Sequence, residues 1–137
     1  MAQGVFEQSV GKAGLTERYV VDSAGTAAWH IGKPPDPRAV VAAGRRGIDI
    51  AAQKARQVSP ADFEDFDLIL AMDASNHVTL MEIAPPEAAH KLRLFLDNMD
   101  GAEPREVPDP YYGGDDGFDD VLDLLEEGSR ALLARLV

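Results

Sequence analysis

The stretch that most constrains the fold is an uninterrupted apolar run in the middle of the chain, Leu68-Ile69-Leu70-Ala71-Met72. A strand with one face in water alternates apolar and polar residues, whereas a strand covered on both faces is apolar throughout. Sheets covered on both faces are mostly parallel, because the connecting helices lie on those faces. The run therefore predicts a buried parallel strand in an α/β fold.

Helical patterns separate this strand from two other strand candidates, which begin at Tyr19 ("YVVD") and at Lys91 ("KLRLFL"). Helices are predicted in five segments: residues 2–13, with Gly14 as a C-cap, 38–46, a start at 59–62, 74–83, and a final amphipathic helix from 118 to 136. Strands that alternate with helices predict a parallel sheet, with the site in loops at the carboxyl ends of its strands.

The composition limits the classes of function. The 137 residues predict one domain, 1–137, and a net charge of −11 argues against nucleic-acid binding. The chain has no cysteine, no apolar run of membrane-spanning length and no signal-peptide pattern at its start, which together predict a cytoplasmic protein that does not bind membranes. Its three histidines lack metal-ligand spacing, so neither a metal nor another cofactor is expected.

The segment "VPDPYYGG", residues 107–114, holds one carboxylate between two prolines. Pro108 has a fixed φ, and Pro110 restricts Asp109 to extended conformations. Such preorganisation suits a group that must meet a reacting atom in one geometry. A Pro/Gly surface turn with two half-buried tyrosines is the alternative interpretation, and these eight residues alone do not decide between the two.

Several segments taken in order resemble the low-molecular-weight protein tyrosine phosphatase family. The matching segments are "VDSAGTAAWHIGKPPDPRA", "KARQV", "FDLILAMDASN" and "VPDPYYGG" with the helix that follows. The resemblance implies a three-layer, doubly wound α/β domain with a four-stranded parallel sheet. It also implies hydrolysis of phosphotyrosine in proteins, or of small aryl phosphates, through a cysteinyl-phosphate and without a metal.

The resemblance assigns roles to five residues. Asp109 would be the general acid that protonates the leaving phenolate. Tyr111 and Tyr112 would form one wall of the substrate cleft and Trp29 the opposite wall, although surface packing also explains such amphipathic rings. Ser23 would support the phosphate-binding loop by hydrogen bonding, and a polar residue that simply ends a strand is the alternative.

The chain departs from the family at its nucleophile. The family uses the pattern C-x5-R-S in a loop between its first strand and first helix, and Met1-Ala2-Gln3-Gly4 resembles the segment just after that loop. We therefore expect the domain to lack this strand and loop, and the 137 residues to be inactive. Gln53 stands where many relatives carry a histidine that supports the loop.

Three interpretations of this departure stay open: an incomplete record of an active phosphatase, a natural non-catalytic module with a binding or regulatory role, and a truncation. The family's first strand lies inside its sheet, between the second and third strands. Without it, the neighbouring strands must pair directly, leave a gap or borrow a strand from another chain. The last possibility predicts a homo-oligomer that repairs the sheet.

Overall fold

The computed structural model describes residues 1–27, 31–98, 106–108 and 116–136. The α-helices are α1 (Ala2–Lys12), α2 (Pro37–Gly44), α3 (Asp62–Asp65), α4 (Ala74–Ile83) and α5 (Asp116–Leu136). The strands are β1 (Ile69–Ala71) and β2 (Leu92–Leu94), and three 3-10 segments cover Thr16–Arg18, Pro86–Lys91 and Phe95–Asn98. The helix predicted over residues 74–83 is confirmed at both ends.

The two strands pair in parallel, with Ile69 opposite Leu92 and Ala71 opposite Leu94. They are joined by α4, which is the crossover that parallel pairing requires. This arrangement confirms the predicted α/β class and the parallel strand that "LILAM" indicated. A separate parallel bridge joins Gly25 to Gln57. Among the described residues the sheet has two of the three strands that the sequence predicted.

Alternate side chains of the apolar run enter two different cores. Leu68, Leu70 and Met72 pack against a cluster built from α1, α2 and α5. Ile69 and Ala71 pack into a second cluster, which contains Phe63 of α3, Leu80 of α4 and Leu92 of β2. Successive side chains of a strand point to opposite faces of the sheet, so both faces are covered by helices. The layers are therefore helix, sheet and helix.

The final helix follows its predicted amphipathic pattern closely. Its buried apolar residues are Phe118, Val121, Leu122, Leu125 and Leu132. Gly128 lies on the same face, and a Cβ there would be 2.7 Å from Cε1 of Phe95, so glycine allows the close approach. Leu136 is 41% exposed, which places the last turn of the apolar stripe at the surface.

The predicted C-cap at Gly14 is confirmed by backbone geometry, and the second helix also has well-defined ends. Gly14 and Gly47 adopt φ of +73° and +76°, the left-handed conformation in which glycine stops a helix. At the start of α2, the Asp36 side chain accepts a hydrogen bond of 2.8 Å from the N–H of Arg38, and Pro37 occupies the first helical position. The "PDPR" segment is therefore a helix start.

The strand predicted from Tyr19 is wrong, and the helix start predicted at 59–62 is confirmed in part. The run from Tyr19 is extended at Tyr19 itself, but no described strand pairs with it, and Val20 is 87% exposed. Its composition favours extended backbone, whereas a strand also needs a neighbour. The helix expected from Ser59 is assigned only from Asp62, but the acid three residues after Ser59 makes a capping contact, because the Ser59 N–H donates to the Asp62 carboxylate at 2.9 Å.

Candidate functional site

The carboxyl end of β1 carries a capped helix start and a docked loop. The Asp73 side chain accepts a hydrogen bond of 2.7 Å from the N–H of Asn76 and so caps α4. The N–H of Val107 donates to the carbonyl of Met72 at 2.8 Å, and a carboxylate oxygen of Glu106 accepts from the N–H of Ala74 at 2.6 Å. Val107 is buried. These contacts fix the segment 106–108 at the edge of the sheet where α/β sites are built.

Ser23 lies in a loop that contacts the first turn of α1. Its hydroxyl donates to Oε1 of Gln3 at 2.6 Å, and Nε2 of Gln3 donates to Oε1 of Glu7 at 2.8 Å. The first turn of a helix has N–H groups without intrahelical partners and carries a partial positive charge. The loop after the Tyr19 run is therefore tied by a side chain to the end of α1 that favours anions.

Asp22, the residue before Ser23, belongs to an ion-pair network centred on Arg56. Arg56 donates two hydrogen bonds to the Asp62 carboxylate, at 3.0 and 3.1 Å, and its Nε lies 3.2 Å from Oδ2 of Asp22. Asp62 is 8% exposed. Burial alone would raise the pKa of Asp62, but the hydrogen bonds from Arg56 and Ser59 outweigh it and lower that pKa. Asp62 is thus held ionised, and Arg56 joins it to the loop of Asp22.

A shallow cleft of about 150 Å³ opens beside Ser23. Its walls include Gln53, Lys33 and Lys54. Gln53 also approaches α1, because its Nε2 is 3.7 Å from the point that a Cβ on Gly4 would occupy. Gln53, at the position where the histidine of relatives was expected, therefore lies next to the first turn of α1.

The structure describes one of the five residues to which the resemblance assigned roles, Ser23. Asp109, Tyr111, Tyr112 and Trp29 lie outside the described residues, and their roles stay predictions. In the described part of the chain, no group of three potential ligands could hold a metal ion. No helix described there is long and apolar enough to cross a membrane.

Sequence reasoning missed three features of this region: the contact of Gln3 with Ser23, the pairing of Arg56 with two aspartates, and the docking of Glu106. Arg56 belongs to the segment "KARQV", which was recognised as a family motif without a role for the arginine. Gln3 and Glu106 belong to no local pattern. Their partners lie 20 and 32 residues away along the chain, so only the fold brings them together.

The protein is an α/β domain in which loops gather at the carboxyl end of a parallel strand, the usual place for a binding or catalytic site. The family model described as "Low molecular weight phosphotyrosine protein phosphatase" matches residues 1–137. A putative low molecular weight protein-tyrosine-phosphatase of Synechocystis is 41% identical over 136 residues, which are 98% of this chain and 86% of that protein. The chain belongs to the low-molecular-weight phosphotyrosine protein phosphatase family.

Solved structures agree with this assignment. A protein tyrosine phosphatase from Entamoeba histolytica, with Hepes in its active site, superposes with a TM-score of 0.93 at 36% identity and covers 98% of this chain and 86% of its own. Wzb of Vibrio vulnificus in complex with benzylphosphonate gives a TM-score of 0.83 at 28% identity, with 98% and 87% covered. The described residues therefore have the family's fold.

Proposed function

We propose that the protein functions in the hydrolysis of phosphotyrosine in proteins, or of small aryl phosphates. In this proposal the 137 residues supply the general acid of the active site and the residues that support its phosphate-binding loop. The observation that carries the proposal is the docking of residues 106–108. Val107 and Glu106 are bonded to Met72 and Ala74 at the carboxyl edge of the sheet. Asp109 follows this anchored segment directly in the sequence.

In this proposal Asp109 protonates the phenolate oxygen as the bond from phosphorus to oxygen breaks. The role needs a protonated carboxyl group in the substrate complex, and a neighbouring phosphate dianion favours that form. Pro108 and Pro110 restrict the backbone around the acid, which reduces the entropy lost in positioning it. Tyr111 and Tyr112 would line one side of the substrate's ring.

Trp29 would line the other side of the cleft. Ser23 would hold the phosphate-binding loop in place, a role supported by its hydrogen bond to Gln3 in the first turn of α1. The phosphate would be held at that turn, where backbone N–H groups favour anions. A phosphonate bound to the Vibrio vulnificus relative supports an aryl phosphate or phosphotyrosine as the substrate class.

The nucleophile is the part that this chain does not supply. In the family's chemistry a cysteine thiolate attacks phosphorus, and the sequence contains no cysteine. We therefore propose that the 137 residues alone do not turn over phosphate esters. The same observation favours a second candidate function, a non-catalytic module that binds phosphotyrosine proteins. A cytoplasmic location and a homo-oligomer in which another chain pairs with the exposed Val20 segment belong to the same proposal.

The test is turnover of p-nitrophenyl phosphate by four proteins. They are the 137-residue chain, a chimera in which the strand and C-x5-R-S loop of the family pattern are fused before Met1, the same chimera with the loop cysteine replaced by serine, and the chimera with Asp109→Asn. Only the chimera with cysteine and Asp109 should show full activity. Asp109→Asn should lower kcat by about 10² to 10⁴, the usual contribution of a general acid.

Each result bears on one part of the proposal. Turnover by the 137-residue chain would contradict its inactivity. A folded chimera without turnover would contradict the hydrolase assignment, and retained binding of a phosphotyrosine peptide would then support the non-catalytic module. Full activity of the Asp109→Asn chimera would remove Asp109 from the acid role.

A further inference from the structure

Arg38, in the first turn of α2, also contacts the first turn of α5. Its guanidinium carbon lies over the Phe118 ring, 4.9 Å from the ring centroid. Phe118 is 3% exposed, so the ring is fixed in the core. A guanidinium over the face of an aromatic ring, within about 6 Å of its centre, is attracted by the ring's quadrupole. This cation–π contact therefore fixes the start of α5 against the start of α2.

Asp36 sets the orientation of that guanidinium. Its Oδ1 accepts from Nε of Arg38 at 3.2 Å, and its Oδ2 accepts from Nη2 at 2.9 Å. Oδ1 also accepts from the backbone N–H of Arg38, so the carboxylate is itself fixed by the start of α2. The side-chain hydrogen bonds from Arg38 lower the pKa of Asp36 and so keep it ionised. Because the guanidinium is planar, it can bind the carboxylate at its edge and the ring at its face at the same time.

The helix that Arg38 contacts begins directly after the segment that contains the predicted general acid. Residues 106–108 are bonded to the carboxyl end of β1 and to the start of α4. Seven residues, 109–115, join this docked segment to α5, which begins at Asp116. A short connection with both ends fixed has fewer conformations than one with a free end, so less entropy is lost when a group in it is positioned. The docked segment fixes one end of this connection, and Arg38 fixes the other.

We propose that Arg38 is a positioning residue for the general acid: by holding Phe118, it fixes the α5 end of segment 109–115 and so keeps Asp109 directed at the leaving oxygen of the substrate. The inference rests on the proposed function, in which Asp109 protonates the leaving phenolate. Arg38 acts through the chain and not on the substrate. Its loss should therefore slow the step that needs the acid, and slow it most where the leaving group is most basic.

The test compares two substrates of the chimera that contains the loop cysteine. Phenyl phosphate releases a phenolate about as basic as that of tyrosine, with a pKa of about 10, and p-nitrophenyl phosphate releases a much weaker base that depends less on the acid. The measured quantity is kcat/KM, which covers the steps up to release of the phenol. Arg38→Met should lower it about tenfold for phenyl phosphate, within the range of about 2- to 30-fold that one cation–π contact supports. For p-nitrophenyl phosphate the loss should be about two- to threefold.

Matched variants separate positioning from stability. Asp36→Asn can still cap α2, because asparagine caps a helix as well as aspartate, but it no longer orients the guanidinium with a charge. It should lower kcat/KM in the same selective way and to a smaller extent. Arg45→Met removes an exposed arginine at the other end of α2 and should change neither substrate. An equal loss for both substrates would indicate a smaller folded fraction and would overturn the proposal, as would no loss in Arg38→Met.

The acid itself provides a second control. When Arg38→Met is added to the Asp109→Asn chimera, kcat/KM for phenyl phosphate should fall no further, because two changes that act through one group are not additive. A further loss of about tenfold in that background would show that Arg38 acts elsewhere, and it would overturn the proposal.

A measurement on the 137-residue chain separates this inference from the proposed function. In ¹⁵N relaxation, the amides of Tyr111, Tyr112 and Gly113 should have lower order parameters in Arg38→Met than in the unaltered chain, and the same values in Arg45→Met. If Asp109→Asn left the chimera fully active, the acid role would fail, whereas lower order parameters would still support the contact of Arg38 as the constraint on this segment. Unchanged order parameters in Arg38→Met would overturn that constraint, whatever the activity.

Discussion

Alanine substitutions at the two ends of α1 should change stability in opposite directions. Gly4 and Gly11 lie in the same helix, and replacing glycine by alanine in a helix gains at most about 1 kcal/mol from backbone entropy. The difference between them lies in the space that a methyl group would enter. Because Gly4 is beside Gln53 and the candidate site, the comparison also measures how tightly α1 is packed there.

The structure gives the cost at each position. A Cβ on Gly4 would lie 2.7 Å from Cγ2 of Ile50 and 3.0 Å from Cγ2 of Ile48. Both isoleucines are buried and β-branched, so their side chains cannot rotate away easily. Overpacking of this kind costs about 1–3 kcal/mol, which leaves Gly4→Ala destabilised by up to about 2 kcal/mol. A Cβ on Gly11 meets only Oγ1 of Thr16, at 3.8 Å, so Gly11→Ala should be more stable by about 0.5–1 kcal/mol.

Urea unfolding followed by circular dichroism measures both changes. The transition midpoint of Gly4→Ala should fall and that of Gly11→Ala should rise, with the dependence of free energy on urea the same as in the wild type. In thermal unfolding each kcal/mol corresponds to about 4 °C for a domain of this size. If Gly4→Ala were as stabilising as Gly11→Ala, Gly4 could not lie as close to Ile48 and Ile50 as the structure shows.

Two further changes test the charged contacts. Asp62→Asn should destabilise the fold by about 2 kcal/mol at pH 7, because it leaves Arg56 without its bidentate partner. The folded state lowers the pKa of Asp62, so the stabilisation is present above the pKa of the unfolded chain, about 3.9, and is lost as pH falls below it. Urea midpoints of the two proteins should therefore differ at pH 5–8, and the difference should shrink as the pH falls below about 3.9, so a constant difference would contradict this reasoning. Arg46→Met should cost about 1 kcal/mol at low salt and less in 1 M NaCl, since Arg46 reaches three partly exposed carboxylates of α5. An effect that salt does not change would point to lost packing instead.

The sequence could predict those parts of the fold that depend on local pattern. The apolar run of β1, the amphipathic stripe of α5 and the left-handed Gly14 each follow from neighbouring residues alone. The Tyr19 run shows the limit, because β-branched residues favour extended backbone but cannot provide the partner that makes a strand. Asp62 shows another, since its place in a predicted helix start accounts for the hydrogen bond from the Ser59 N–H, whereas its pairing with Arg56 depends on the fold.

The same distinction applies to the candidate site. The role of Ser23 came from the family resemblance, and its contact with Gln3 needs two segments that meet only in the folded chain. The cleft likewise depends on the pairing of Lys33 with Ala55, for which no local signal exists. Asp109, Trp29 and the two tyrosines lie outside the described residues, so their roles stay predictions.

The packing of α1 against α5 has a consequence for how the chain is made. These helices belong to one core, yet about 100 residues separate them, and closing such a loop costs about 4 kcal/mol of chain entropy. At about 5–20 residues per second, a ribosome needs roughly 5–20 s to add that length. During this interval Val5, Phe6 and Val10 have no α5 to cover them. Until the last turns of α5 emerge from the ribosome, α1 is therefore a segment at which the nascent chain would bind chaperones.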